Sequence, residues 1–296
     1  MFLCHFLYTV LPAGAVIYRR NLIRRSKQKF LIKRAMAKIN LDKYYTSKEL
    51  AKHCIDVVNR LGLEITETIE PSAGNGSFSL QIPNCIAYDL EPEHESIIQQ
   101  DFLKLELSYK KGRLFIGNPP FGTRNTLSVK FFKKAITMGD AIAFILPASQ
   151  YQNNQQMYEF DLIHSEMLPI IEYSGVKLQC CFNIYARPKN GLSKAPIDYT
   201  LKDVTVLEYR RGGTYPKPTN YDFGMCAWGN IGKEVKFVGE YAQENYIVIN
   251  NKNYRQQILE LMKTTDWKNL YPCISGPKIQ TWKIYKYLKE CIKELN

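Results

Sequence analysis

The chain has 296 residues, of which 45% are hydrophobic, and it carries a net charge of +12. This length and apolar content allow a sizeable buried core and exclude a disordered or fibrous protein. The eight cysteines and four histidines show no Cys-x-x-Cys or other metal-ligand spacing, which argues against a structural metal and favours a reduced, cytoplasmic protein.

Most of the positive charge lies in a basic N-terminal extension, residues 1–35. This segment has eight lysines and arginines and no acidic residue. By contrast, residues 36–200 carry 17 basic and 18 acidic side chains, and residues 201–296 carry 15 basic and 10 acidic side chains. The middle of the chain is therefore neutral, and the mildly basic last third is the better candidate for contact with phosphates.

An apolar stretch over 2–18 precedes the arginines of the extension. His5 and Pro12 interrupt it, and it is short for a membrane span. Three interpretations stay open: the extension lies upstream of a true start at Met36, it is a basic arm, or it is a membrane anchor. We favour the first and expect no membrane association.

Helix and strand patterns alternate from residue 36 onward. They predict helices over 49–61 and 126–138, and strands over 66–70, 85–89, 114–117 and 141–146. Alternation at these lengths predicts an α/β fold, a mainly parallel sheet with helices on both faces. A helix or loop is predicted near 157–168, and the segment 176–185 is typical of a hairpin that completes such a sheet.

A glycine-containing loop follows the first predicted strand, with the sequence Glu-Pro-Ser-Ala-Gly-Asn-Gly over 70–76. Gly74 and Gly76 allow backbone torsions and close approach that would let a ligand lie against the loop. Ser79 stands where the dinucleotide fingerprint has its third glycine, which argues against NAD. Asp89, at the end of the next strand, can accept hydrogen bonds from both hydroxyls of a ribose.

The four residues Asn118, Pro119, Pro120 and Phe121 directly follow the apolar strand at 114–117. The asparagine offers an amide oxygen, and a proline carbonyl offers a second acceptor on a stiff backbone. The phenylalanine adds a flat apolar face. Such a corner can hold a planar NH2 group and stack on the ring that carries it.

Taken together, these motifs resemble those of S-adenosylmethionine-dependent N6-adenine methyltransferases that modify DNA. The cofactor loop precedes the Asn-Pro-Pro-Phe motif by 48 residues, which resembles the gamma arrangement of that family. The resemblance implies a Rossmann-like class I methyltransferase fold, with a catalytic domain over 36–210 and a small C-terminal target-recognition region over 211–296. This region is short for the family, which argues against stringent sequence specificity.

The resemblance also implies roles for individual residues. Asp101 would bind the adenine amino group of the cofactor, and Phe102 would pack on its ring. The implied cofactor-binding residues are Tyr45, Thr46, Glu70, Pro71, Gly74, Gly76, Asp89, Leu90, Asp101, Phe102 and Asn118. The implied catalytic residues are Asn118, Pro119, Pro120 and Phe121, and the rings that would stack on the substrate base are Phe121 and Phe182; no metal is implied.

The predicted function is methyl transfer from S-adenosylmethionine to the N6 amino group of adenine in DNA, as in restriction–modification systems. An RNA N6-adenine methyltransferase would use the same residues and stays open. A protein-glutamine methyltransferase and an inactive methyltransferase-fold binding module are weaker alternatives. The sequence leaves the target site, a cognate endonuclease and the oligomeric state open.

Overall fold

The computed structural model describes residues 45–173, 176–272 and 278–296. The predicted basic extension and the proposed start at Met36 lie outside these residues. Residues from Thr46 to Asn296 belong to one compact unit, and Tyr45 falls outside it. None of the helices in the described part of the chain combines the length and hydropathy needed to cross a bilayer.

The described chain contains five α-helices and twelve β-strands. In chain order they are α1 Lys48–Arg60, β1 Glu67–Glu70, β2 Ile86–Asp89, β3 Ile98–Gln99, β4 Arg113–Gly117, α2 Thr126–Ala135, β5 Ala141–Pro147, β6 Asp161–Met167, β7 Ile171–Tyr173, β8 Val176–Leu178, β9 Cys180–Ala186, β10 Val204–Arg210, β11 Phe223–Cys226, β12 Gln243–Ile249, α3 Arg255–Thr264, α4 Trp267–Leu270 and α5 Thr281–Cys291. The helices and strands predicted before residue 150 are all present, with ends within three residues of the prediction.

Seven strands form one sheet in the order β3-β2-β1-β4-β5-β9-β6. The pairs from β3 to β5 are parallel, whereas β9 is antiparallel to both β5 and β6, so only β9 runs against the other six. The predicted Rossmann-like class I methyltransferase fold is confirmed by this mainly parallel sheet. The prediction of a helix or loop at 157–168 is wrong in part, because β6 occupies 161–167.

Helices cover both faces of this sheet, as predicted. Along β4, Leu114 and Ile116 pack in one apolar cluster with Cys54 of α1. Phe115 points to the opposite face and packs with Phe132 of α2. The alternation follows from the two-residue period of a strand, and burial on both faces explains why the central strands are uninterrupted apolar runs.

The order of the strands reverses between β1 and β4. From β1 the chain continues to β2 and β3 on one side, and later returns to place β4 on the other side. The two strands are parallel, with Ile69 opposite Phe115. In open α/β sheets, ligands bind at the carboxyl ends of strands at such a switch point. Glu70 and Asn118 lie at the carboxyl ends of these two strands.

A second, three-stranded antiparallel sheet, in the order β10-β12-β11, lies in the C-terminal part of the chain. It packs against α3, α4 and α5 around its own apolar core, which includes Val204, Ile247, Ile258, Trp267 and Leu288. The predicted boundary between 210 and 211 is corrected. Strand β10 begins at Val204 and pairs along its whole length with β12, so the C-terminal sheet starts before residue 211.

Phe182 does not have the position expected for a ring that stacks on a substrate base. Its side chain is completely buried in β9 and belongs to the cluster that packs under α1. No face of the ring is available to a ligand. The prediction of base stacking is therefore corrected to a core role, which the packing of α1 on this face of the sheet imposes.

We predict that Phe182→Ala lowers the free energy of unfolding by about 3–5 kcal/mol, because it removes a large buried ring and leaves a cavity. Urea denaturation followed by circular dichroism measures this loss. Unchanged stability would contradict the core assignment.

Candidate cofactor and substrate site

The loop after β1 is held by a buried carboxylate. Glu70 is only 2% exposed, and its Oε2 accepts a hydrogen bond of 2.7 Å from the backbone N–H of Ser79, across the loop. Gly74 and Gly76 between them have φ values of +54° and +80°. A Cβ at Gly76 would approach Leu80 Cγ to 2.9 Å. The loop conformation therefore requires glycine at this position.

Asp89 is tied to this same loop from the end of β2. Its Oδ2 accepts a hydrogen bond from Gly74 N at 2.7 Å, and its Oδ1 accepts one from Glu91 N at 2.8 Å. Each carboxylate oxygen keeps a second lone pair, so the pair of oxygens can still accept from two hydroxyls. Leu90 beside it is 64% exposed and offers an apolar contact.

Asp101 and Phe102 lie in a short helical turn after β3. Asp101 caps this turn by accepting from Leu103 N at 3.0 Å, and Lys104 Nζ lies 3.7 Å from its other oxygen. Phe102 is 1% exposed and stacks on Phe131 within the core. The expectation that its ring packs on a bound adenine is corrected: Phe102 anchors the turn that carries Asp101.

The Asn118 corner is oriented by the segment that precedes α1. Asn118 Nδ2 donates to Thr46 Oγ1 at 3.3 Å, which fixes the nitrogen side of the amide. The backbone oxygen of Thr46 in turn accepts from Ser77 Oγ at 2.6 Å, directly after the glycine loop. Ser72 Oγ donates to the backbone oxygen of Asn118 at 3.3 Å. These contacts join the loop after β1 and the corner after β4.

The carbonyl groups of the corner are not equivalent. The Pro120 oxygen accepts from Ser128 Oγ at 3.1 Å, and the Phe121 oxygen accepts from Leu127 N at 3.0 Å. Within the described residues, the Pro119 oxygen has no such donor. The Pro119 carbonyl is thus the backbone acceptor of the corner that remains available to a ligand.

Sequence reasoning identified Thr46 but missed Ser72 and Ser77. Ser72 lies in the glycine loop and Ser77 directly follows it, next to residues that the motif did select. Their partners, Asn118 and Thr46, are 46 and 31 residues away in the sequence. A serine in such a loop carries no sequence signal for so distant a partner. Tyr45 is 46% exposed, and its predicted role in cofactor binding stays a prediction.

Burial raises the pKa of Glu70 to about 7, although hydrogen bonds from Ser79 and Phe78 oppose the shift. The negative charge of Asp89 raises the pKa of Glu70 further. A cationic group beside Glu70 would favour the ionised carboxylate and oppose this shift. The site is therefore electrostatically suited to an ammonium group.

Taken as a set, these residues fit S-adenosylmethionine. A buried acid suits an α-amino group, an acid at the end of β2 suits a ribose, and an acid after β3 suits an adenine amino group. Within residues 45–173, 176–272 and 278–296, no group of three or more His, Cys, Asp and Glu side chains is arranged to hold a metal ion.

Comparison with known proteins gives no match to any family model and none to a curated protein. Among solved structures, a Thermoplasma acidophilum protein is similar with a TM-score of 0.38 and 16% identity, over 52% of this chain and 97% of that chain. A "putative RNA methyltransferase" from Pyrococcus horikoshii is similar with a TM-score of 0.41 and 15% identity, over 50% of this chain and 87% of that chain. Magnesium protoporphyrin IX methyltransferase from Synechocystis PCC 6803, with S-adenosylmethionine bound, is similar with a TM-score of 0.35 and 9% identity, over 48% of this chain and 79% of that chain.

These three TM-scores all lie below 0.5, so the similarity carries no information about substrate. The fold assignment follows from the order and direction of the strands in this protein.

The raised pKa of Glu70 predicts a pH-dependent stability. The folded protein holds this proton more tightly than the unfolded chain, for which 4.5 is the ordinary pKa. The resulting stabilisation is complete below about pH 4.5 and is lost as pH rises through 7. In the limit of a fully buried group, we expect the wild type to lose about 3 kcal/mol more than Glu70→Gln between pH 4 and 8.

Urea unfolding of the two proteins across this pH range measures the difference. Glu70→Gln keeps an acceptor for Ser79 N but does not titrate. Parallel stability curves for the two proteins would contradict the raised pKa.

Proposed function

We propose that the protein is an S-adenosylmethionine-dependent methyltransferase that modifies the N6 amino group of adenine in DNA. The observation that carries the proposal is that the glycine loop and the acceptor corner meet where the strand order of the sheet reverses. The glycine loop with Glu70 and the acceptor corner with Asn118 are joined through Thr46. A site for a methyl donor and a site for an amino group therefore lie side by side.

On the cofactor side, Glu70 binds the α-amino group and Asp89 binds the ribose hydroxyls. Asp101 and Leu90 contact the adenine. When bound, S-adenosylmethionine supplies an electrophilic methyl group on its sulfonium. The backbone of Gly74 and Gly76 lines the loop without side chains and so leaves room for the ligand.

On the substrate side, Asn118 Oδ1 and the Pro119 oxygen accept the two hydrogens of the target amino group. This pair of bonds directs the nitrogen lone pair and holds the group in place for attack on the methyl carbon. Phe121 stacks on the extrahelical base and offsets part of the cost of unstacking it. No general base is needed, since the proton becomes acidic once the nitrogen is alkylated.

The C-terminal sheet offers a surface suited to nucleic acid. Glu244 is 1% exposed, and its carboxylate accepts from Gly239 N at 2.8 Å, Tyr241 N at 2.6 Å and Tyr246 Oη at 2.6 Å. These bonds hold a short loop in one conformation. The loop presents Phe237, whose side chain is 62% exposed. A rigid, exposed aromatic ring is suited to stacking on a base.

One arginine contacts this loop, and two exposed lysines lie near it in the sequence. Arg211 donates to the backbone oxygens of Gly239 and Glu240, which places its guanidinium at the base of the loop. Lys233 and Lys236 are exposed nearby in the sequence. Glu234, Glu240 and Glu244 in the same stretch balance these three positive charges, so the exposed ring of Phe237, and not a net charge, supports contact with nucleic acid.

RNA is the second candidate substrate, because the corner holds an adenine in either nucleic acid. The C-terminal core contains one small sheet and three helices. A recognition region of this size favours targets that are short, or that are recognised by their shape, over long specific DNA sequences.

The test is transfer of a labelled methyl group from S-adenosylmethionine to DNA, RNA or release-factor protein, followed by digestion and identification of the modified monomer. We expect label in N6-methyldeoxyadenosine. Asn118→Ala should lower kcat by roughly 10²–10³-fold, the scale for removing one hydrogen bond aimed at a reacting group. Asn59→Ala, at an exposed position of α1, is the matched control and should be unchanged.

Label in RNA alone would replace DNA by RNA as the substrate. Full activity of Asn118→Ala would contradict the role of the corner.

A separate prediction concerns Phe237. We expect Phe237→Ala to weaken binding to DNA by roughly 10-fold, since stacking on one base contributes about 1–3 kcal/mol. Fluorescence anisotropy at fixed salt measures the affinity. Ile163→Ala, which removes an exposed side chain from β6, is the control. Equal affinities of the two variants would exclude this loop from the interface.

A further inference from the structure

Acidic and basic side chains are divided unevenly over the rim of the sheet, the edge formed by the carboxyl ends of the parallel strands β1 to β5. The segment 89–101, which runs from the end of β2 past β3, has five acidic residues and no lysine or arginine. The segment 118–130, which runs from the corner into α2, has two basic residues, Arg124 and Lys130, and no acidic residue. The rim is therefore negative on the cofactor side of the switch point and positive on the substrate side.

This division determines where a polynucleotide can cross the rim. Glu91, Glu93 and Glu95 are exposed on the cofactor side. Exposed carboxylates repel the phosphates of a nucleic acid, whereas cations attract them. We therefore expect a strand whose adenine enters the Asn118 corner to run over the side that carries α2, and not over the segment 89–101.

Arg124 is the cation of this side that lies closer to the corner in the sequence. It follows Phe121 by three residues, in the short helical turn Thr123–Asn125. The backbone N–H of Leu127 donates to the Phe121 oxygen at 3.0 Å, which closes the loop between these two residues. Arg124 is exposed in the middle of the loop, and its side chain forms no ion pair or hydrogen bond within the described part of the chain. Its guanidinium is thus available to a ligand beside the acceptor corner.

The backbone of Arg124 is held in a conformation that arginine rarely adopts. Its φ is +56° and its ψ is +35°, and Asn125 after it has φ of +65°. Left-handed torsions cost free energy for a residue with a side chain, and asparagine tolerates them better than arginine. The completely buried Ser128 holds the turn, because its Oγ donates to the Pro120 oxygen at 3.1 Å. Strained residues that their surroundings hold in place are concentrated at functional sites, which indicates a role for the Arg124 side chain.

We propose that Arg124 binds a phosphodiester group of the DNA strand that carries the target adenine, next to the extrahelical nucleotide. The inference rests on the proposed function. A guanidinium group donates two parallel hydrogen bonds to a phosphate, a geometry that lysine cannot reproduce but whose charge it retains. An extrahelical base turns about its own backbone, so the phosphates beside it follow the strand along the rim. A phosphate contact at this point fixes the position of the strand without reading its sequence.

The test compares Arg124→Gln with Arg124→Lys in methyl transfer to DNA over a series of salt concentrations. Arg124→Gln removes the charge and keeps a long polar side chain. We expect it to raise the KM for DNA roughly 10-fold, to leave kcat at saturating DNA unchanged, and to reduce the slope of log KM against log salt concentration by about 0.9, the value for one phosphate of duplex DNA. Arg124→Lys should keep the wild-type slope. The melting temperature and the binding of S-adenosylmethionine should be those of the wild type in both variants.

Lys111→Gln is the matched control. Lys111 is exposed and precedes β4, at the opposite edge of the sheet, so its loss removes one positive charge away from the rim. This variant should keep the wild-type KM and salt slope. Equal losses in Lys111→Gln and Arg124→Gln, or equal losses in Arg124→Lys and Arg124→Gln, would overturn the proposal. If the wild type methylates no DNA, the proposed function fails. If the wild type methylates DNA and Arg124→Gln has the same KM and salt slope, the phosphate contact alone fails.

Discussion

The parallel pairing of β1 with β4 is the constraint on which the rest of the site depends. It places the ends of two strands that are far apart in sequence next to each other, at the point where the strand order reverses. Glu70 and Asn118 occupy these ends. The bonds of Thr46 to Asn118 and Ser77 then hold the two loops together. Without this pairing, the glycine loop and the acceptor corner would be unrelated turns.

Buried carboxylates recur as the means of fixing loops in this protein. Glu70 binds a backbone N–H across the glycine loop, and Glu244 binds three donors around the loop that presents Phe237. A buried carboxyl group is costly unless hydrogen bonds satisfy it. In both places, donors from a loop to which we assign ligand contact offset part of this cost. A buried carboxyl group therefore orders both the proposed cofactor loop and the loop proposed to contact nucleic acid.

The central strands could be predicted because burial on both faces makes them continuous apolar runs, as at 113–117 and 141–147. Strand β6 was missed, since its sequence is largely polar and only its pairing with β9 makes it a strand. The burial of Phe182 depends on where α1 packs, which no local pattern specifies. The motifs located Glu70 and Asn118, but the contacts that orient Asn118 arise only from the folded chain.

The central claim is that the loop after β1 binds S-adenosylmethionine. Isothermal titration calorimetry on the wild type and on Gly76→Val tests it most directly, because a side chain at this positive φ would strain the loop and approach Leu80. The account predicts one binding site for S-adenosylmethionine in the wild type, none for NAD, and loss of binding in a Gly76→Val protein that remains folded. Absence of binding to the wild type, or unchanged binding by a folded Gly76→Val protein, would contradict it.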